Sequence, residues 1–173
     1  MTYKNKVNII NKKDKQGNII EESYYNKENL LIENKEGIAI YRWKYNYYGN
    51  RMEENQFGQD EKLKTTIIWK YNFNGNKIEQ TTYGPDKKLK EINGIAIIQW
   101  KYNDQKKIIE WKNIGKNEDF KKISPAIFKY RYDNDNYIKK ITTYNSNENI
   151  IEIKYIKNLY KTKYTNFTIN KKI

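Results

Sequence analysis

A four-residue string governs what this chain can become. Trp43-Lys44-Tyr45-Asn46 returns as Trp69-Lys70-Tyr71-Asn72 and as Trp100-Lys101-Tyr102-Asn103. A looser copy stands at Tyr130-Arg131-Tyr132-Asp133, and a degenerate one at Asn11-Lys12-Lys13-Asp14. Successive copies begin 26 to 32 residues apart. A repeat of that length marks units that cannot bury an apolar face alone and must stack on their neighbours.

Within each unit the residues alternate with period two. Ala39, Tyr41, Trp43 and Tyr45 fall on one face and Ile40, Arg42 and Lys44 on the other; the later units repeat the pattern, as in Ile98, Trp100 and Tyr102 against Ile97, Gln99 and Lys101. Such alternation, rich in aromatic and β-branched residues, is a strand signal. A turn follows, as in Asn46-Tyr47-Tyr48-Gly49, where Asx can bond back onto the turn and Gly accepts positive φ. Lys106 and Asn136 take the glycine place in the last two units, which weakens the turn signal there.

The return strand carries Ile20, Met52, Ile78 and Ile109 at equivalent places and runs to Tyr25, Phe57, Tyr83, Ile114 and Tyr144. A second polar turn ends on Leu30, Leu63, Leu89, Phe120 and Ile150. A two-residue loop would set Trp43 beside Met52 and a bulged turn beside Glu53; burial favours Met52.

The expectation is an all-β fold: about five tandem β-hairpin repeats, roughly ten strands, forming one long antiparallel sheet. A sheet of that width is expected to be twisted and curled. The whole chain, 1–173, reads as a single repeat domain, with units at about 7–37, 38–64, 65–94, 95–124 and 125–152 and C-terminal capping strands over 153–173.

Mean hydropathy is low, at −1.10, but 17 Tyr, 4 Trp and 5 Phe oppose disorder. Burial must come from ring faces whose hydroxyls find partners at the rim. The chain has no Cys and no His, which removes disulfides, the usual nucleophile–base pairs and most transition-metal sites. Glycines stand singly in turns, so no phosphate loop is present. Asp133-Asn134-Asp135-Asn136 lacks a downstream bidentate Glu for Ca²⁺ and reads as an Asx turn. Neither cofactor nor metal is expected. No apolar run reaches a membrane span, and Met1 to Asn11 alternates without a signal-peptide core, so the expected location is cytoplasmic.

The string Tyr71-Asn72-Phe73-Asn74-Gly75-Asn76, together with Tyr45-Asn46-Tyr47-Tyr48-Gly49-Asn50 and Tyr132-Asp133, resembles the YD (RHS-type) repeat, Tyr-Asp-x-x-Gly-Asn/Arg. Related MORN-like hairpin arrays share the tyrosine-rich design. The resemblance covers each unit at one turn and its flanks. It implies structural strips, such as those that bacterial RHS proteins wrap around toxins, and small binding or antitoxin-like partners. The period here is longer than the usual YD spacing, and five units are too few to enclose another domain.

Function must then be sought in binding rather than chemistry. Glu21, Glu53, Glu79 and Glu110 recur at one repeat position, as do Lys12, Lys44, Lys70, Lys101 and Arg131. A residue needed once for catalysis is not repeated in every unit; cross-strand ion pairs fit better. No catalytic residue is assigned and the chain is not expected to be an enzyme, although carboxylates in the sheet's concavity are the minor alternative.

Departures from the repeat are more telling. Tyr47 and Tyr48 put two rings on a turn. Toward the C-terminus Lys154, Tyr155, Lys157, Tyr160, Lys161, Lys163 and Tyr164 interleave rings with cations. These nine are the candidate partner-binding residues. Net charge is +13, and from Lys121 onward twelve basic side chains face four acidic ones. Codon bias toward Lys, Asn, Ile and Tyr accounts for much of the total, so its distribution is more telling than its size. The first reading is an interaction module for a protein partner, in a toxin-associated or immunity-type setting. The second is binding of an anionic polymer, nucleic acid or acidic glycan, through the basic C-terminal segment.

Overall fold

The computed structural model describes residues 7–116, 126–145 and 147–156. Eleven strands run in chain order: β1 (Asn8–Lys13), β2 (Ile19–Tyr25), β3 (Ile40–Tyr45), β4 (Arg51–Phe57), β5 (Leu63–Tyr71), β6 (Lys77–Tyr83), β7 (Ile97–Tyr102), β8 (Ile108–Ile114), β9 (Ile127–Tyr132), β10 (Ile138–Tyr144) and β11 (Ile150–Tyr155). They form one antiparallel sheet in the order β1 to β11, open at both ends. The described residues contain no helix. The return strands end at Tyr25, Phe57, Tyr83, Ile114 and Tyr144, as alternation predicts. The eleventh strand, Ile150–Tyr155, straddles the boundary drawn at 152.

Five hairpin turns share one geometry. In the second, the Asn46 N–H donates to Asn50 O and the Gly49 N–H to Asn46 O, while Asn46 Oδ1 accepts from the backbone N–H of Tyr48 and Asn50. Gly49 sits at φ +79°, the left-handed residue that closes a three-residue hairpin loop. Lys106 and Asn136 adopt the same conformation, at φ 61° and 66°. Asn103 and Asp133 make the same paired side-chain bonds and hold those turns without glycine.

The register corrects the expectation for Trp43. Lys44 faces Glu53 and Tyr45 faces Arg51, so Met52 is an extra, bulged residue and Trp43 lies opposite Glu54. Ile20, Ile78, Ile109 and Lys139 occupy the same bulge in the other hairpins. The recurring aliphatic residue is therefore the bulge residue, not a partner of tryptophan. After β2, the strand-end Tyr25 bridges Leu31, one residue beyond the expected Leu30, which is exposed.

Two faces result. The ring face carries Tyr41, Trp43, Tyr45, Trp69, Tyr71, Trp100, Tyr102, Trp111, Phe128, Tyr130 and Tyr132. The ionic face carries the Lys and Glu columns. Among the described residues, no large side chain is fully buried. Ala39, Ala96 and Ala126, each just before a unit's first strand, are almost completely withdrawn from solvent. Each donates its N–H to the end of the following strand and accepts from the preceding one, as Ala39 does with Phe57 O and the Tyr24 N–H.

Tyrosine hydroxyls tie unit to unit. Tyr45 donates to Ile19 O, Tyr71 to Arg51 O, Tyr102 to Lys77 O and Tyr132 to Ile108 O, at 2.6–2.7 Å. Each acceptor lies just before a bulge, two residues short of the first ladder pair with the next strand: Glu21–Arg42, Glu53–Ile68, Glu79–Gln99 and Glu110–Lys129. The phenol thus takes a carbonyl beyond the reach of that ladder.

Candidate interaction surfaces

The ionic face is a series of cross-strand pairs. Lys12–Glu21, Lys44–Glu53, Lys70–Glu79 and Lys101–Glu110 lie 2.6–2.9 Å apart. Glu21 also accepts from Arg42 at 2.7 Å, and Glu79 from Gln99 at 3.0 Å. The Lys70 ammonium beside Glu79 holds that carboxyl below its ordinary range despite partial burial. These carboxylates are used as sheet fasteners, as their recurrence implied. Among the described residues, no group of three or more acidic side chains could hold a metal ion.

On the ring face, between the first two units, Glu22, Glu36 and Glu54 surround Tyr24, Tyr41 and Trp43 in a basin of about 560 Å³. Tyr24 donates to Glu22, Tyr41 to Glu36 and the Trp43 indole to Glu54. Tyr41 and Trp43 stack, with centroids 5.7 Å apart, and the Arg51 guanidinium lies 4.5 Å from the Trp43 ring centroid. Burial, reinforced by Glu36, pushes the Tyr41 hydroxyl well above the usual phenol range. The basin's carboxylates bond neutral donors and remain able to accept from a polar or cationic group.

At the hairpin-turn edge, Tyr47 and Tyr48 are 87% and 84% exposed, and pack edge to face at 5.6 Å. Phe73, on the neighbouring turn, is 97% exposed. Neighbouring turns nest, since a side chain added at Gly75 would meet the Asn50 amide at 4.0 Å. The turn geometry rests on Asn46, Gly49, Asn72 and Gly75, so the three rings are not required by the fold. Sequence reasoning missed Phe73, hidden inside the repeat string; its signal was an apolar residue at a place held by Lys15, Asp104 or Asn134 elsewhere.

The candidate residues do not form one site. Lys154 and Tyr155 lie on β11, with Lys154 opposite Ile141 on the ring face and Tyr155 opposite Lys140 on the ionic face. Seven strand spacings lie between β4, at the turn of Tyr47 and Tyr48, and β11, which carries Tyr155, about 34 Å along the sheet at the usual spacing. Lys157, Tyr160, Lys161, Lys163 and Tyr164 lie outside the described residues.

No family model matches the chain. No curated protein matches it in sequence. Among solved structures, the crystal structure titled TcdB2-TccC3-TEV is similar over 82% of this chain, at 13% identity and a TM-score of 0.54. This chain spans 7% of that one. The likeness is one of fold. A protein of unknown function from Bacteroides fragilis aligns over 88% of this chain and 94% of its own, at 11% identity and a TM-score of only 0.21. Among the described residues, no helix is long and apolar enough to cross a membrane.

Proposed function

We propose that this chain is a non-enzymatic β-repeat interaction module that engages a protein partner along its hairpin-turn edge. The observation that carries the reading is the ridge of Tyr47, Tyr48 and Phe73: three nearly bare rings on adjacent turns that do not need them. Aromatic side chains on a rigid scaffold supply large contact area at small conformational cost, which is why they concentrate at binding hot spots. The YD-like turn motif and the fold shared with the TcdB2-TccC3 structure support an RHS-type strip in a toxin-associated or immunity-type setting.

The test is affinity capture from the native host with the wild-type chain and with Tyr47→Ser/Tyr48→Ser/Phe73→Ser, read by mass spectrometry. The triple variant should keep its melting temperature, because surface changes away from packed features stay within about 0.5 kcal/mol. It should lose a defined protein that the wild type retains. Identical captured sets from both chains would refute the reading.

A further inference from the structure

The ion-pair ladder breaks in one hairpin. The residue after the bulge is Glu21, Glu53, Glu79 or Glu110 in the first four hairpins, each opposite a lysine. In the fifth it is Lys140, and it stands directly opposite Arg131. The bulge residue changes too, from an aliphatic side chain to Lys139. Like charges face to face destabilise a sheet, so the exchange brings the fold nothing.

Among the described residues, the surroundings do not neutralise it. Lys129, two residues before Arg131 on the same face, shares Glu110 with Lys101, at 3.9 Å against 2.8 Å. Asp104 and Asp133 line a cavity of about 640 Å³ with Arg131, but neither forms an ion pair with it, and Asp133 Oδ1 is committed to the backbone N–H of Asp135 and Tyr137. Rings lie within the patch: the Lys129 ammonium sits 4.8 Å from the Tyr144 ring centroid, and that of Lys140 5.6 Å from Tyr155, which is 64% exposed.

We infer that the ionic face over β9–β11, built on Lys129, Arg131 and Lys140 with Tyr155 beside them, is a binding strip for single-stranded nucleic acid. Cations at strand spacing on an open surface match a chain of phosphates, and an adjacent accessible ring gives a base something to stack on. The strip lies apart from the aromatic turn ridge, and the inference does not depend on that reading.

The test uses the full chain and a labelled oligo-dT or oligo-U in fluorescence anisotropy over a salt series. Three phosphate contacts predict a log K against log salt slope of about −2. Lys140→Glu, which restores the pairing of the first four hairpins, should raise the melting temperature and weaken binding at least tenfold. Lys140→Gln should weaken binding less, and Tyr155→Ala should weaken it with little change in slope. Tyr47→Ser/Tyr48→Ser/Phe73→Ser should bind as wild type.

No oligonucleotide binding at low salt overturns the inference, as does unchanged affinity in Lys140→Glu. So does loss of binding on replacing Lys154, Lys157, Lys161 and Lys163 by Gln while Lys140→Glu still binds. Equal affinity for heparin, with no effect of Tyr155→Ala, identifies a general cationic surface and overturns the nucleic-acid assignment.

Discussion

The tyrosine latches should carry much of the cohesion between units, and Tyr102→Phe measures one of them. The substitution removes a hydroxyl that donates to Lys77 O at 2.6 Å and leaves the ring in place. Burial already raises the Tyr102 hydroxyl above its ordinary phenol range, so the bond sits away from bulk water. A net hydrogen bond is worth about 0.5–1.5 kcal/mol, with more lost where the acceptor is left dry. The expected cost is therefore about 1–2 kcal/mol, or about 2–8 °C in melting temperature for a chain of this size. Tyr71→Phe, whose bond to Arg51 O is exposed, should cost less.

The four latches sit in separate units, so Tyr45→Phe, Tyr71→Phe, Tyr102→Phe and Tyr132→Phe combined should sum to about 3–6 kcal/mol. That is a large share of the 5–15 kcal/mol typical of folded domains. Urea unfolding followed by tryptophan fluorescence and far-UV circular dichroism reads both series. A quadruple variant within about 0.5 kcal/mol of wild type would show that ladder bonds alone hold the units together.

Further outcomes follow from the same geometry. Glu79→Gln should cost no more than about 1 kcal/mol near neutral pH, because the Lys70 ammonium is largely exposed. The Glu79 carboxyl is held below its ordinary 4.5, so its contribution is complete above that value and lost as pH falls; Glu79→Gln should flatten that part of an acid-unfolding curve. Tyr41 is raised above its ordinary 10.0, so its contribution is complete below pH 10 and lost as pH rises beyond it. Tyr41→Phe should therefore blunt alkaline unfolding followed by circular dichroism. Lys106→Gly should stabilise by about 0.5–1 kcal/mol, since Lys106 holds φ 61° with a side chain that disfavours it; a lower urea midpoint would contradict this.

Strand existence and strand ends were legible because alternation stops where an aromatic or aliphatic residue meets a polar turn, an Asx turn at Tyr25 and Tyr144 and Gly84-Pro85 at Tyr83. The Lys and Glu columns were legible as pairs, since opposite charges recur in step. Register was not. Met52 and its equivalents have the size and polarity of an in-ladder residue, and nothing local distinguishes a bulge from a pairing position. In the first four hairpins the next unit's tyrosine, 20 to 26 residues away, reaches the carbonyl beside the bulge, a contact that no local pattern announces. The last two turns looked weak by glycine alone, but the Asx side chain supplies two bonds to the turn backbone whichever residue takes positive φ. That Lys140 takes the place of the fifth Glu and faces Arg131 required the register.

A single-layer sheet explains why such exceptions carry information. Among the described residues neither face is covered by another layer, and contacts run between strands adjacent in the chain. Stability is then a sum of unit and nearest-neighbour terms, and a defect in one unit is not transmitted to a shared core. Selection for folding acts on positions that join neighbours: the Asx turns, the bulges, the tyrosine latches and the Lys–Glu pairs. A residue that occupies one of those positions and weakens the junction, as Lys140 does opposite Arg131, must be explained by something outside the fold. So must a residue that leaves the junction untouched yet exposes a ring, as Phe73 does. The two exceptions fall in different units and have different chemistry, cationic in one case and aromatic in the other. Loss of one should therefore spare the other, and a double variant carrying Lys140→Glu and Phe73→Ser should show two independent binding defects on an intact sheet.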